Sequence, residues 1–424
     1  MPFTALGLSP ALAQSAAALG FVSPTPVQSA AIPVVLRGGD LLATAQTGSG
    51  KTAAFALPLL QRGRATPQAS GARRVGTLVL VPTRELAAQV GEVFRSLAQG
   101  LSPRPKVMVA FGGVSINPQM IALRGGADIV VATPGRLLDL VDSRALRLDG
   151  VERLVLDEAD RLLDLGFADE LARVLAVIPA ARQTLLFSAT FAPEVEALAG
   201  RILRAPTRVD TPVAEGDAAV IEQRVFEVDE GRRAALLLQL IKDLRWERAL
   251  VFVASQHAAE HLATRLRKAK VFAAPFHGGL SQGARTQALL EFKERRWDVL
   301  VTTDLAARGL HIDRLPVVVN YDLPRSTEDY THRIGRTGRA GESGLAVTFV
   351  TPASEAHWRL IEKRQGLSVP RERMPGFEPT GVAPSVPQAA EGTGGVKGKR
   401  PSKKDKARLA AARADGRSRG PGAC

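Results

Sequence analysis

Ala45-Gln-Thr-Gly-Ser-Gly-Lys-Thr52 decides how the rest of the chain is read. A short apolar run, Asp40-Leu-Leu-Ala-Thr-Ala45, precedes it, and Thr52-Ala-Ala-Phe-Ala-Leu57 continues with helical character. Strand, glycine loop and helix in that order make a phosphate cradle, because backbone N–H groups converge and the helix N-terminus adds partial positive charge. Gly48 and Gly50, flanked by Thr47 and Ser49, give the turn. Lys51 would reach the β- and γ-phosphates and the Thr52 hydroxyl would ligate Mg2+. Ala45 stands where the general pattern has Gly. A plain Gly/Ser surface turn is the bland alternative, but it has no use for Lys-Thr at a helix start. The loop indicates a nucleotide phosphate and says nothing of the work done with it.

A chain of 424 residues with 45% hydrophobic content is long enough for two or three domains. No apolar stretch approaches the ~18–20 residues that span a bilayer. Met1–Gln14 lacks the basic and apolar regions of a signal peptide, and the single cysteine, Cys424, excludes an internal disulfide framework or a cysteine zinc site. A cytoplasmic protein is expected. The net charge of +14 is uneven: residues 397–424 hold ten Lys/Arg against Asp405 and Asp415, a net +8, leaving +6 for residues 1–396. A basic tail on a mildly basic body points to a polyanionic partner, the alternative being a tail that only solubilises.

Ser9-Pro10 and Thr25-Pro26 are cap-then-proline signals for two N-terminal helices, with Gly20 past the end of the first and Pro33 expected to break or kink the second. Gln28 then lies in a first helical turn, where its amide could pair with an adenine edge and Phe21 could offer a stacking face. Apolar runs follow at residues 77–82, 106–110, 128–132, 153–156 and 183–188, with helical stretches at 84–99, 135–142 and 168–178 between them. This is the βαβ rhythm of a doubly wound parallel sheet, which puts ligand-contacting residues just after strand C-termini. Asp157-Glu158-Ala159-Asp160 stands there, with one carboxylate suited to Mg2+ and the next to an attacking water. So do Ser188-Ala-Thr190, Pro82-Thr83-Arg84-Glu85, Gly112-Gly113 and Thr133-Pro134-Gly135-Arg136, whose hydroxyls, N–H groups and arginines suit a sugar–phosphate backbone. Residues 204–219 hold two prolines and little periodicity, and read as a linker. A second alternating set begins at Arg248, without a P-loop of its own. It carries His332-Arg333-Ile-Gly335-Arg336-Thr337-Gly338-Arg339, where arginines alternate with small residues as if to grip phosphate. Beyond about residue 366, Pro, Gly, Ala and basic residues predict disorder.

Taken together and in order, these motifs resemble the DEAD-box RNA helicase family over roughly residues 3–350, the Asp-Glu-Ala-Asp of 157–160 being the family's name motif. Phe21 to Gln28 looks like its adenine-reading motif, and its own P-loop begins with Ala. The resemblance implies an α/β fold of two RecA-like parallel-sheet domains, 1–205 and 220–366, joined by a linker at 206–219, with a disordered basic tail at 367–424. It implies an RNA-stimulated ATP hydrolase with ATP and Mg2+ as cofactors and RNA of little sequence preference as partner. ATP would lie on Phe21, Gln28, Thr47, Gly48, Ser49, Gly50, Lys51, Thr52 and Asp157, with Thr52 and Asp157 holding the metal. Glu158 would activate water, and Arg336 and Arg339 would approach the γ-phosphate from the second domain. RNA would meet Pro82, Thr83, Arg84, Gly112, Gly113, Thr133, Pro134, Gly135, Arg136, Gly278, Gln282, Arg285 and Thr303. Asp160, Ser188, Thr190 and His332 would couple the two events. The basic tail would add RNA affinity, and the short body with such a tail looks most like bacterial RhlE-type members. The rival activity is an ATP-gated RNA clamp or annealing factor. One departure stands out: His311 occupies the place where the family has a ribose-contacting Asp, after the Arg308-Gly309 pair.

Overall fold

The apolar runs that mark strands are four to seven residues long, and most are buried at every position, as strands covered on both faces must be. In a computed structural model of the chain, which describes residues 2–45, 48–63, 73–210, 221–307, 312, 315–338 and 343–380, they form two parallel sheets. Thr47, Arg339, Arg308, Gly309, His311, most of the expected linker and the basic tail lie outside the described residues.

The first lobe contains β1 (Leu41–Thr44), β2 (Thr77–Leu80), β3 (Val107–Ala110), β4 (Ile129–Ala132), β5 (Arg153–Leu156), β6 (Gln183–Ser188) and β7 (Thr207–Asp210), in the order β3-β4-β2-β5-β6-β1-β7. The second contains β8 (Ile221–Glu227), β9 (Ala249–Phe252), β10 (Ala273–Phe276), β11 (Val299–Thr302), β12 (Val317–Asn320), β13 (Gly344–Val350) and β14 (Arg371–Glu372), in the order β10-β11-β9-β12-β13-β8-β14. The two orders are the same order. Each sheet is a RecA-like core with helices on both faces, and lobe 1 has one apolar cluster on each side of its sheet.

Helix starts follow local chemistry. The Ser9, Thr83, Ser255, Ser281 and Ser326 hydroxyls each accept from a backbone N–H three residues on. The helix Pro26–Arg37 is not broken at Pro33. Its buried Ile32, Val34 and Val35 hold it in the core and offset the missing hydrogen bond, worth about 3 kcal/mol with the ring clash.

Three boundaries differ from the sequence reading. Thr207–Asp210, assigned to the linker, is an edge strand paired with β1; only Val209 of its four residues is buried, so it shows no apolar run. β8 went unread for the same reason, being half-buried along most of its length. Residues 367–380, assigned to the disordered tail, form a strap on lobe 2: β14 pairs with β8, and Met374 and Phe377 pack on the core. Arg371 donates to both Glu362 carboxylate oxygens at 2.8 Å, and Arg224 donates to Glu372 at 2.8 and 2.5 Å. Backbone pairing and side-chain ion pairs hold the strap together with a few scattered apolar contacts, which is why its composition resembles a linker. Beneath it, Trp358 meets Tyr330 edge-on at 5.2 Å, and the Tyr330 hydroxyl donates to Gln223 at 2.6 Å.

Candidate active site between the lobes

The loop after β1 turns through Gly48 and Gly50, with φ of 90° and 91°, where an L side chain is strained. At Gly50 a Cβ would also meet the Gln28 amide. That amide braces the loop: Gln28 Nε2 donates to the Gly50 carbonyl at 3.1 Å, its Oε1 accepts from Thr25 N at 3.0 Å, and the Thr25 hydroxyl donates to the Ser49 carbonyl at 2.8 Å. Among the described residues, one donor and one acceptor of Gln28 are therefore in use and the second of each remains. Phe21 is half-buried and packs on the lobe 1 core.

Lys51 opens the next helix, 7% exposed, and its Nζ has no hydrogen-bond partner among the described residues. A buried ammonium without a partner is costly unless an anion completes it. Thr52 follows, half-buried. Asp157 lies just past β5, and burial pushes its carboxyl up to about 6, with the neighbouring carboxylates of Glu158 and Asp160 adding to the rise and Lys51 opposing it. Glu158 is buried and held at φ 52°, a conformation that few side chains other than Asn and Asp adopt. Asp160 accepts from Arg161 N at 3.0 Å and from the Thr190 hydroxyl at 3.3 Å, while the Ser188 hydroxyl donates to the Thr190 carbonyl at 2.7 Å.

Lobe 2 completes this end. Burial and nearby Arg161 hold the Arg336 guanidinium below its usual range, and Glu158 of lobe 1 opposes the shift. His332 is pushed down to about 4 by burial, then by Arg161 and Arg336, so it is neutral at pH 7, and its Nδ1 has no partner among the described residues. Arg161 shares a cavity with His332, Arg336, Asp304 and Asp329. Arg333 does not grip phosphate: 2% exposed, it donates to both Asp304 oxygens at 2.5 and 2.7 Å and to the Asp322 carbonyl at 2.6 Å, over the Phe252 ring.

The expected RNA loops gather along the strand ends of both lobes, and their side chains are partly engaged. Pro82, Thr133 and Pro134 are buried, and Thr83 caps a helix by accepting from Leu86 N at 3.3 Å. Arg84 lies over Gly113, where a Cβ would collide with its guanidinium, beside Gly112. Arg136 is buried and donates to the Val114 carbonyl at 2.8 Å. Gly135 and Thr303 are half-buried and Gly278 is exposed. Arg285 is buried and donates across the lobes to Glu85 at 2.9 Å, joined by Gln282 Nε2 at 3.3 Å. Glu85, Arg161 and Asp304 were missed as site residues, because their partners lie far away in sequence.

Residues 25–198 match the DEAD/DEAH box helicase family and residues 232–341 the helicase conserved C-terminal domain. An ATP-dependent RNA helicase CshA of Listeria monocytogenes is 42% identical over 361 residues, 85% of this chain and 68% of that protein. The chain belongs to the DEAD-box RNA helicase family. This DEAD-box protein is therefore an ATP-hydrolysing enzyme with RNA as its partner. S. cerevisiae Dbp5 bound to RNA and ADP BeF3 superposes with a TM-score of 0.76 at 31% identity, covering 88% of this chain and 95% of that one. A variant of Dbp5 bound to Nup159, Gle1, IP6 and ADP, also 31% identical and covering 88% and 96%, gives 0.59. No helix among the described residues of this helicase is long and apolar enough to cross a membrane.

Proposed function

We propose that the protein uses ATP hydrolysis to open short RNA duplexes, or to remodel RNA–protein particles locally, with little sequence preference. The observation that carries this reading is Arg336 of lobe 2 lining one cavity with Arg161 of lobe 1, three residues after Glu158. An arginine supplied from a second lobe makes hydrolysis depend on closure, so a turnover can be tied to gripping and releasing a strand.

The glycine loop with Thr47, Ser49 and Lys51 would hold the triphosphate, and Gln28 with Phe21 the adenine. Thr52 and Asp157 would hold Mg2+, which supplies charge neutralisation when bound. They fit it: a carboxyl raised by burial, and further by its acidic neighbours, is relieved by a divalent cation, and one carboxylate plus a hydroxyl suffices where phosphates and waters complete the shell. Glu158 orients and deprotonates the attacking water, and Arg336 with Arg339 meets the developing charge. Neutral His332 beside Asp160, and Ser188 with Thr190, link this end to the RNA face. On that face Thr83, Arg84, Gly112, Gly113, Thr133, Gly135, Gly278, Gln282 and Thr303 contact backbone, Pro82 and Pro134 shape the loops, and buried Arg136 and Arg285 hold them in place. The basic tail adds affinity, and together with the short body it favours the RhlE-type placement. The test is strand release from a short duplex measured beside ATPase activity. RNA-stimulated turnover with ATP-dependent release is expected; turnover with no release would replace unwinding by clamping.

A further inference from the structure

Three consecutive helix-to-strand loops of lobe 2 end their helices in the left-handed conformation on a basic residue: Arg245 (φ 47°), Lys270 (φ 64°) and Arg295 (φ 61°). Glycine is the ordinary occupant of that position, because an L side chain there is strained. In two of the three corresponding loops of lobe 1 the positive-φ residues, among those described, are glycines: Gly63 (φ 51°) in one, Gly125 and Gly126 (φ 77° each) in the other. The three loops feed β9, β10 and β11, which are neighbours in the sheet, so they form one rim. Backbone and side-chain contacts tie them together: Ala249 N donates to the Asp298 carbonyl, Asp298 N donates to the Phe272 carbonyl, each at 2.8 Å, and Arg295 pairs with Glu247 at 3.6 Å.

Residues 242–248, 265–272 and 293–298 hold ten Lys/Arg against four Asp/Glu, a net +6, which equals the net charge of all residues 1–396. The rest of the body is neutral in sum, and this rim carries its excess. Arg245, Lys268 and Lys270 are exposed and make no ion pair among the described residues. Phe272, between Lys270 and β10, is 64% exposed. A basic residue at a helix C-terminus also favours the helix dipole, but that accounts for neither the density of charge nor the bare aromatic ring. Cations with an exposed stacking face are the chemistry that meets nucleic acid.

We propose that this rim is a second RNA-backbone surface, separate from the cleft. It lies at the N-terminal ends of the strands, whereas Gly278, Thr303 and His332 lie at the other end, beyond a sheet about 13 Å deep. An RNA confined to the cleft does not reach the rim; a longer one that passes around lobe 2 does. The rim thus selects for length and structure in the RNA that flanks the gripped strand. This rests on the cleft being the RNA site proposed above.

The test compares the full chain with its Lys268→Glu/Lys270→Glu form, using a ten-nucleotide uridine strand and a long hairpin with a single-stranded extension, over a salt series with a non-hydrolysable ATP analogue. The short RNA and ATPase saturated with it should stay within about twofold, while the hairpin weakens tenfold or more and its log–log salt slope falls by about 1.4, two phosphates at ~0.7 each. Lys270→Gly, which relieves the backbone, should leave the melting temperature unchanged or raised and still weaken the hairpin. An unchanged hairpin affinity and slope overturns the proposal in favour of an acidic protein partner for the rim. Equal weakening of both RNAs also overturns it, since the effect is then not local. Failure of the parent chain to bind either RNA would instead bring down the reading of the cleft.

Discussion

Lobe 1 and lobe 2 thread seven parallel strands in the same order, so β1 corresponds to β8 and β5 to β12. In lobe 1 the helix after β1 begins at Lys51, whose Nζ has no partner among the described residues, and Asp157 follows β5. In lobe 2 the helix after β8 begins at Arg233, which donates to Asp322, just past β12, at 2.5 Å. Cation and carboxylate occur in both places. Lobe 2 closes them on each other, and Arg233 also donates to the Tyr321 carbonyl and stacks on the Tyr321 ring. Lobe 1 interposes Gly48 and Gly50 and leaves the ammonium for something else. A phosphate site is made by the glycine turn and the missing internal partner, not by the fold that both lobes share.

The strongest way to break this comparison is at the one group lobe 2 contributes to lobe 1. Arg336→Ala should keep ATP affinity and lose about 10³–10⁵ in kcat, because the guanidinium meets charge that develops in the transition state. RNA-stimulated ATPase under saturating ATP and RNA reads this, and turnover within a few-fold of the parent would end the shared-site mechanism. Next comes the buried pair across the lobes. Glu85→Ala leaves Arg285 buried and unpaired, a loss of about 3–5 kcal/mol. It should appear as weakened RNA binding with the ATP analogue bound, and a double-mutant cycle with Arg285→Ala should show strong coupling.

Asp157 tests the lobe 1 side by pH. Its folded carboxyl titrates near 6, above its unfolded value of 3.8, so the native state binds the extra proton. Stability from this group is present below about pH 4 and is lost as pH rises toward 6, at most about 3 kcal/mol. Asp157→Asn should therefore stabilise the ligand-free chain at pH 7.5, and the gain should fade between pH 6 and pH 4 in thermal melts. A gain that does not depend on pH would mean the carboxyl is not held protonated. The smallest expected effect sharpens the lobe 2 side: Arg233→Ala should cost about 2 kcal/mol from a charged hydrogen bond and leave ATP affinity untouched. Altered ATP binding there would show that the closed pair of lobe 2 is not inert.

The glycine loop, the acidic quartet after β5 and the helix caps were legible because each is a local arrangement of a few residues. Buried runs such as Leu78-Val-Leu80 were legible because strands covered on both faces are apolar throughout. What could not be read has partners distant in sequence. Nothing local separates Arg333, locked onto Asp304, from Arg336 three residues later in the cleft. Glu85 needs Arg285, two hundred residues on, before it has a role. The edge strands β7 and β14 are held by backbone pairing and ion pairs, which leave no apolar pattern. The basic rim stayed invisible as well, since its charges come from three segments that only the sheet brings together.

The strap has a practical consequence for protein engineering. A truncation at residue 366, where composition changes, would delete β14 and uncover the edge of β8. It would also strip Arg224 of Glu372, and Glu355 and Glu362 of Arg371. A weak RNA binder made that way would report a damaged lobe, and the defect would be credited to the missing basic tail. A stop codon after Thr380 removes the tail's charge and leaves every one of these partners in place.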